Sequence, residues 1–207
     1  MIAVIDYGVG NLFSLSSSLA YLGLENKITR SARELDEASH IILPGVGAFG
    51  DAMEKLASTG LVPALERQAE NGKPLLGICL GMQLLFEKSE ESPGVEGLGI
   101  LKGEILRIPA AEGLKIPHMG WNNIRFPNKG RLFAGVPEDA YVYFVHSYYL
   151  KAQDEKIVTA TTEYGTHIHA SVESGNLFAC QFHPEKSSHV GLQILKNFAK
   201  LEGKGGR

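Results

Sequence analysis

The feature that most constrains this chain is a set of short apolar runs, each stopped by a glycine-containing turn. Ile2-Ala3-Val4-Ile5 leads into Tyr7-Gly8-Val9-Gly10, and Ile41-Ile42-Leu43 into Pro44-Gly45-Val46-Gly47. Leu75-Leu76-Gly77-Ile78 leads into Cys79-Leu80-Gly81. These runs are too short for helices and do not alternate apolar with polar residues. Strands of this kind are buried on both faces, as in a parallel sheet covered by helices on each side. Helical patterns lie between them. Leu12, Leu15, Leu19 and Leu22 recur at helical spacing behind Asn11, a candidate N-cap. Lys27-Ile28-Thr29 reads as a further strand, and a helix is expected around Leu61 to Ala69, ending at Asn71-Gly72.

From Ile100 onward the expected strands come closer together: 105–108, 123–126, 141–145, 158–162, 168–172 and 177–182. Short connections such as Glu173-Ser174-Gly175-Asn176 point to antiparallel hairpins. A final amphipathic helix is expected over about Val190 to Leu201. The fold class is therefore α/β: three layers, with a mostly parallel central sheet to which antiparallel strands are added. No linker interrupts the pattern, so the 207 residues read as one domain over 1–202, followed by a disordered tail, 203–207.

Composition narrows the function classes. Charged residues make up 21% and the formal net charge is −3, without a Lys/Arg-rich run, so a nucleic-acid partner is not expected. No apolar stretch reaches membrane-spanning length, and the first residues lack a basic leader with a cleavage site. A cytoplasmic location follows as an expectation. There the two cysteines, Cys79 and Cys180, are expected as thiols rather than as a disulfide.

Gly77-Ile78-Cys79-Leu80-Gly81 is the thiol counterpart of the nucleophile elbow, in which a strained strand-to-helix turn presents a nucleophile. Side chains two residues to either side would collide, which explains the glycines. The helix that follows places its positive end at Cys79 and aims the Leu80 N–H at the oxygen of a substrate carbonyl. The alternative is a buried structural cysteine, since cysteine is among the most buried residue types. A nucleophile needs a base, and seven histidines are candidates. His40 and His189 read as packing or surface residues. His167 and His169 form an H-x-H pair without further ligands at metal-site spacing, so no metal is expected. His118 and His146 sit in polar-aromatic surroundings that decide nothing alone. His183 ends the apolar run 177–182, Pro184 fixes the turn, and Glu185 lies two residues on, within reach of one imidazole nitrogen. Cys79, His183 and Glu185 thus read as nucleophile, base and orienting carboxylate. Cys180, inside the run, reads as core.

The pair "GICLGMQ" and "HPE" resembles the class I glutamine amidotransferases, and the likeness extends over most of the chain. Membership implies release of ammonia from glutamine through a γ-glutamyl thioester, with no cofactor. "YGVGN", "ILPGVGAFG", "PHMGWN" and "YFVHSYY" resemble the group that serves imidazole glycerol phosphate synthase. Many relatives have Pro-Gly-Gly where this chain has Pro44-Gly45-Val46-Gly47, a departure typical of that group. The resemblance implies an oxyanion hole from Leu80 and the Val46-Gly47 backbone. Gln83, Glu91, Ser147 and Tyr148, together with Gly47, are implied to bind glutamine. It also implies a heterodimer with a (β/α)₈-barrel cyclase that converts PRFAR to imidazole glycerol phosphate and AICAR. Asn11, Trp121, Asn122, Tyr143 and Lys186 are the candidate contacts to that partner. Other readings stay open on sequence: an amidotransferase subunit of another pathway, a cysteine peptidase or thioesterase with the same triad, and a silent interaction module.

Overall fold

The computed structural model describes residues 1–203, so most of the proposed tail, 204–207, lies outside the described residues. The elements run β1 (Ile2–Ile5), α1 (Leu12–Tyr21), β2 (Asn26–Thr29), α2 (Ala32–Glu37), β3 (His40–Leu43), α3 (Phe49–Ser58), α4 (Val62–Glu70), β4 (Leu75–Ile78) and α5 (Leu80–Leu84). They continue β5 (Lys88–Ser89), β6 (Gly103–Arg107), β7 (His118–Asn123), β8 (Tyr141–His146), β9 (Tyr148–Ala152), β10 (Val158–Glu163), β11 (His167–Ser174), β12 (Leu177–Cys180) and α6 (Ser188–Ala199). The large sheet has the order β2-β1-β3-β4-β12-β11-β9-β6-β5, with β10 paired to β11. β2, β1, β3, β4 and β12 are mutually parallel, and β11, β9 and β6 extend the sheet in antiparallel fashion.

The continuous apolar runs have the burial they require. Within β1, Ile2 and Val4 join Leu15, Leu19, Ile194 and Phe198 in one layer of core, whereas Ala3 and Ile5 join Leu35, Leu56 and Leu65 on the opposite face. Period-two alternation therefore sends successive side chains of one strand into two separate cores. The β11–β12 hairpin turns at Gly175-Asn176, with Ser174 paired to Leu177.

Several expectations need correction. Residues 123–126 are not a strand; the strand is β7, which pairs with β8 in a separate two-stranded sheet. Met119 and Trp121 of β7 are exposed, so the apolar periodicity that marks a buried strand is missing. Tyr148–Ala152 is a strand of the large sheet, divided from β8 by Ser147. The run 177–182 is strand only to Cys180. α2 and α3 were not marked by the pattern, because α2 buries one residue, Leu35, and α3 buries only Phe49, Ala52 and Leu56. Asn11 occupies the N-cap of α1, but its side chain makes no capping hydrogen bond. α5 has only five residues, too few for a sizeable dipole.

β3, β4 and β12 are adjacent and parallel, so their carboxyl ends emerge side by side. Leu43 pairs with Gly77, and Ile78 pairs with Cys180. This places the turns at Pro44–Gly47, Cys79 and His183 at one edge of the sheet, where ligands bind in open parallel α/β sheets.

Candidate active site

Cys79 has φ 54 and ψ −111, a left-handed conformation that a side chain adopts only under constraint. Two features impose it. The Cys79 N–H donates to the Cys180 carbonyl at 2.8 Å, which extends the β4–β12 pairing by one residue. The flanking glycines also let α5 press against the sheet. A Cβ on Gly81 would collide with the Leu43 carbonyl oxygen, and one on Gly77 would lie 2.8 Å from Gly81 O. The glycines of the motif are therefore required by backbone approach.

Cys79 opens into a cavity of about 340 Å³, lined also by Val46, Gly47, Leu80, Gln83, Glu91, Pro117, Val145, His146, Ser147, Tyr148 and His183. That volume suits a small ligand. His183 Nδ1 is 2.8 Å from Glu185 Oε1, and both side chains are nearly inaccessible to solvent. Among the described residues, His183 Nε2 has no hydrogen-bond partner. Burial alone would lower the His183 pKa, but Cys79 and Glu185 outweigh it and hold the imidazole up at about 10. A protonated His183 is the counter-charge a thiolate needs. With α5 so short, this imidazolium is the main electrostatic support for sulfur. Cys180 is wholly buried, and burial pushes its thiol pKa well up, as befits a core residue.

The oxyanion side is arranged differently from expectation. The Leu80 N–H is directed to the Gly45 carbonyl at 3.3 Å and is not free to meet a substrate oxygen. Gly47 has φ +101 with open space where a Cβ would be, and Val46 is exposed. Tyr7, unmarked in the sequence, anchors the start of this loop by donating its hydroxyl to the Pro44 carbonyl at 2.8 Å.

The proposed glutamine-binding residues converge on the cavity. One Glu91 oxygen accepts the Phe49 N–H at 2.8 Å, at the start of α3. Gln83 Nε2 donates to Tyr148 O at 3.1 Å and to Gln181 Oε1 at 3.0 Å. The buried pair His118 and His146 also belongs here. His146 Nδ1 lies 2.9 Å from Tyr148 O, an atom that only accepts, so Nδ1 carries the proton and Nε2 is an acceptor. His118 Nδ1, 3.0 Å from that Nε2, must then be the donor. Burial pushes His118 down to about 4 and His146 to about 3, which keeps both neutral. No local pattern indicated this pair; only the β7–β8 register, which sets His118 opposite His146, reveals it.

Elsewhere, His40 is packed against Phe198 and bonds Leu201 O, and His189 is exposed. His169 Nδ1 accepts from Ala152 N, and His167 pairs with Glu163. No metal-binding cluster is found among the described residues. Of the candidate partner contacts, Trp121, Tyr143 and Lys186 are contiguous: Trp121 packs edge-on to Tyr143 at 6.1 Å, and Lys186 Nζ lies 5.8 Å over the Tyr143 ring. Trp121 is 52% exposed, and Val46 and Met119 are exposed as well. Asn11 is half-buried ahead of the exposed Phe13. Asn122 turns inward, its Nδ2 3.3 Å from His118 Nε2 and 3.0 Å from Glu163 O.

The model of the glutamine amidotransferase class-I family matches residues 3–201. The chain is 55% identical to the imidazole glycerol phosphate synthase subunit HisH of Moorella thermoacetica, over 97% of this chain and 94% of that protein. It is 50% identical to the HisH subunit of Aquifex aeolicus, over 95% of each. Among solved structures, PurLQS from Thermotoga maritima superposes with a TM-score of 0.74 at 24% identity, covering 95% of this chain and 96% of that one, a likeness of fold alone. The chain therefore belongs to the class-I glutamine amidotransferase family, within its group of imidazole glycerol phosphate synthase HisH subunits.

Proposed function

We infer that this chain hydrolyses the side-chain amide of glutamine and delivers the ammonia to a synthase partner in histidine biosynthesis. The observation that carries the reading is the meeting of a left-handed Cys79 with the His183–Glu185 pair at one cavity. The Cys79 thiolate attacks the glutamine Cδ. His183, oriented by Glu185, gives its proton to the departing nitrogen, so that ammonia leaves and a γ-glutamyl thioester remains. Water then gives a proton to His183 and attacks the thioester, and glutamate departs as the thiolate is restored. Glu91, Ser147, Tyr148 and the Gly47 backbone hold the amino-acid end of glutamine; the one Glu91 oxygen left by Phe49 N–H suits an ammonium group. Leu80 and the Val46-Gly47 segment supply the oxyanion donors once the Leu80–Gly45 contact opens.

The partner in this reading is a (β/α)₈-barrel cyclase that turns PRFAR and ammonia into imidazole glycerol phosphate and AICAR. It docks on the face carrying Asn11, Trp121, Tyr143 and Lys186, with Asn122 turned inward behind them, and its binding biases the Pro44–Gly47 loop toward the open oxyanion hole. Among the described residues no helix is long and apolar enough to cross a membrane. Acid quenching of the complex during turnover, followed by peptide mass spectrometry, tests the chemistry. A γ-glutamyl adduct on Cys79 that is absent from Cys79→Ala supports it. Glutamate release without any such dependence on Cys79 overturns it.

A further inference from the structure

Gln181 follows β12, between the core Cys180 and the chain turn that delivers His183. It is fully buried, and its main-chain N–H is tied to Ala170 O at 2.9 Å. A wholly buried carboxamide must find partners for both of its ends. Here one end meets Gln83, and the other lies 3.7 Å from the Cys79 sulfur.

Which end faces the sulfur follows from a single carbonyl. Tyr148 O can only accept, so the Gln83 atom 3.1 Å from it is the amide nitrogen. That nitrogen also reaches Gln181 at 3.0 Å, where an acceptor is required, so the Gln181 oxygen points to Gln83. The Gln181 nitrogen is left toward Cys79. The other side of Tyr148 O receives the His146 Nδ1–H at 2.9 Å, which fixes that carbonyl from a second direction.

We propose that Gln181 is a catalytic hydrogen-bond donor to the Cys79 sulfur, held in the donating orientation by Gln83. This rests on the reading of Cys79 as nucleophile and adds a group that the triad lacks. His183 loses its proton to ammonia during acylation and cannot serve as a counter-charge until water restores it. A carboxamide does not titrate. Its N–H faces the sulfur through the whole cycle, and stabilises the thiolate when the thioester breaks. Gln83, in the same account, is a positioning residue: both of its amide hydrogens are directed to the protein, and it acts on sulfur through Gln181.

The test is the pH dependence of Cys79 alkylation by iodoacetamide in the full chain, read at that residue by peptide mass spectrometry. It reports the thiolate without requiring glutamine turnover. Gln181→Met keeps the bulk and removes the donor. The midpoint of alkylation should rise by about one pH unit, roughly a tenfold slower reaction at pH values well below both midpoints. Gln181→Glu keeps the acceptor for Gln83 but brings negative charge to the sulfur, and should raise the midpoint further. Gln83→Met leaves Gln181 free to flip and should give a smaller rise; it also serves if the Gln181 variants do not fold. Variants that melt at lower temperature with an unmoved midpoint would overturn the proposal and assign Gln181 to packing. A wild-type midpoint near the free-cysteine value of about 8.5 would instead count against the nucleophile reading itself.

Discussion

The turns after β3 and β4 are neighbours, both are rich in glycine, and they use it for opposite purposes. After β4, Gly77 and Gly81 are hemmed in by backbone, and the crowding holds Cys79 in one strained conformation. After β3, Gly45 is packed against Tyr7 and Gly81, but Gly47 stands in open space at φ +101 beside an exposed Val46. The first turn is locked and the second is free to rearrange. Cys79, His183 and Glu185 are thus brought together, while the Leu80 N–H is engaged with the Gly45 carbonyl of the neighbouring turn. The same residue type marks rigidity where neighbours are close and freedom where they are absent.

The largest expected effect lies in the locked turn. Cys79→Ala should abolish partner-stimulated glutamate release, a loss of several orders of magnitude in kcat. Cys79→Gly should be equally inactive yet more stable, because glycine adopts positive φ without the penalty of roughly 1–2 kcal/mol. A urea denaturation series on the two variants checks this, and equal stability would remove the strain argument. Gly81→Ala should destabilise by at least the ~1–3 kcal/mol typical of overpacking, since backbone must move.

The free turn should answer differently. Gly47→Ala meets no neighbour, so its stability cost should stay within about 1–2 kcal/mol. Its glutaminase activity in the complex should nevertheless fall, by up to about 10²–10³-fold, if the added Cβ keeps this peptide from the angles that aim its N–H at the substrate oxygen. Val46→Gly should raise the activity of the chain without its partner, because a β-branched residue resists peptide rotation that glycine accepts. Unchanged activity there would place the gate elsewhere in the loop.

The last comparison concerns pH, where two buried histidine environments are shifted in opposite senses. His118 and His146 have folded pKa values of about 4 and 3, below the ordinary 6.5. Between those values the unfolded chain binds more protons, so stability should fall as pH drops from about 6.5 toward 3. His183 is held at about 10, above 6.5. Its contribution is fully present below 6.5 and is lost as pH rises through about 10. Thermal melts across pH check both, and His118→Gln should flatten the acid limb while leaving the alkaline limb in place.

Much of this was legible in the sequence where the signal is local. The apolar runs gave the parallel core, and the short spacings of Gly77–Cys79–Gly81 and His183–Glu185 pointed to side chains that the structure brings together. What escaped depends on contacts between distant segments. Gln181 gains its meaning from Gln83 and Tyr148, and His118 from its register with His146. β7 was misplaced because its exposed Met119 and Trp121 break the burial pattern that reveals a strand. The engagement of Leu80 with Gly45 is likewise a property of two loops brought together by sheet order, and neither loop signals it alone.

Central to the proposed function is a nucleophile, Cys79, that waits on an incomplete oxyanion hole. Its most direct test is glutamate release from glutamine by this chain alone, then with the barrel cyclase and its nucleotide ligand, with Cys79→Ala as control. Little release is expected from the chain alone and strong release from the full mixture, abolished by Cys79→Ala. Equal release with and without the partner would contradict it.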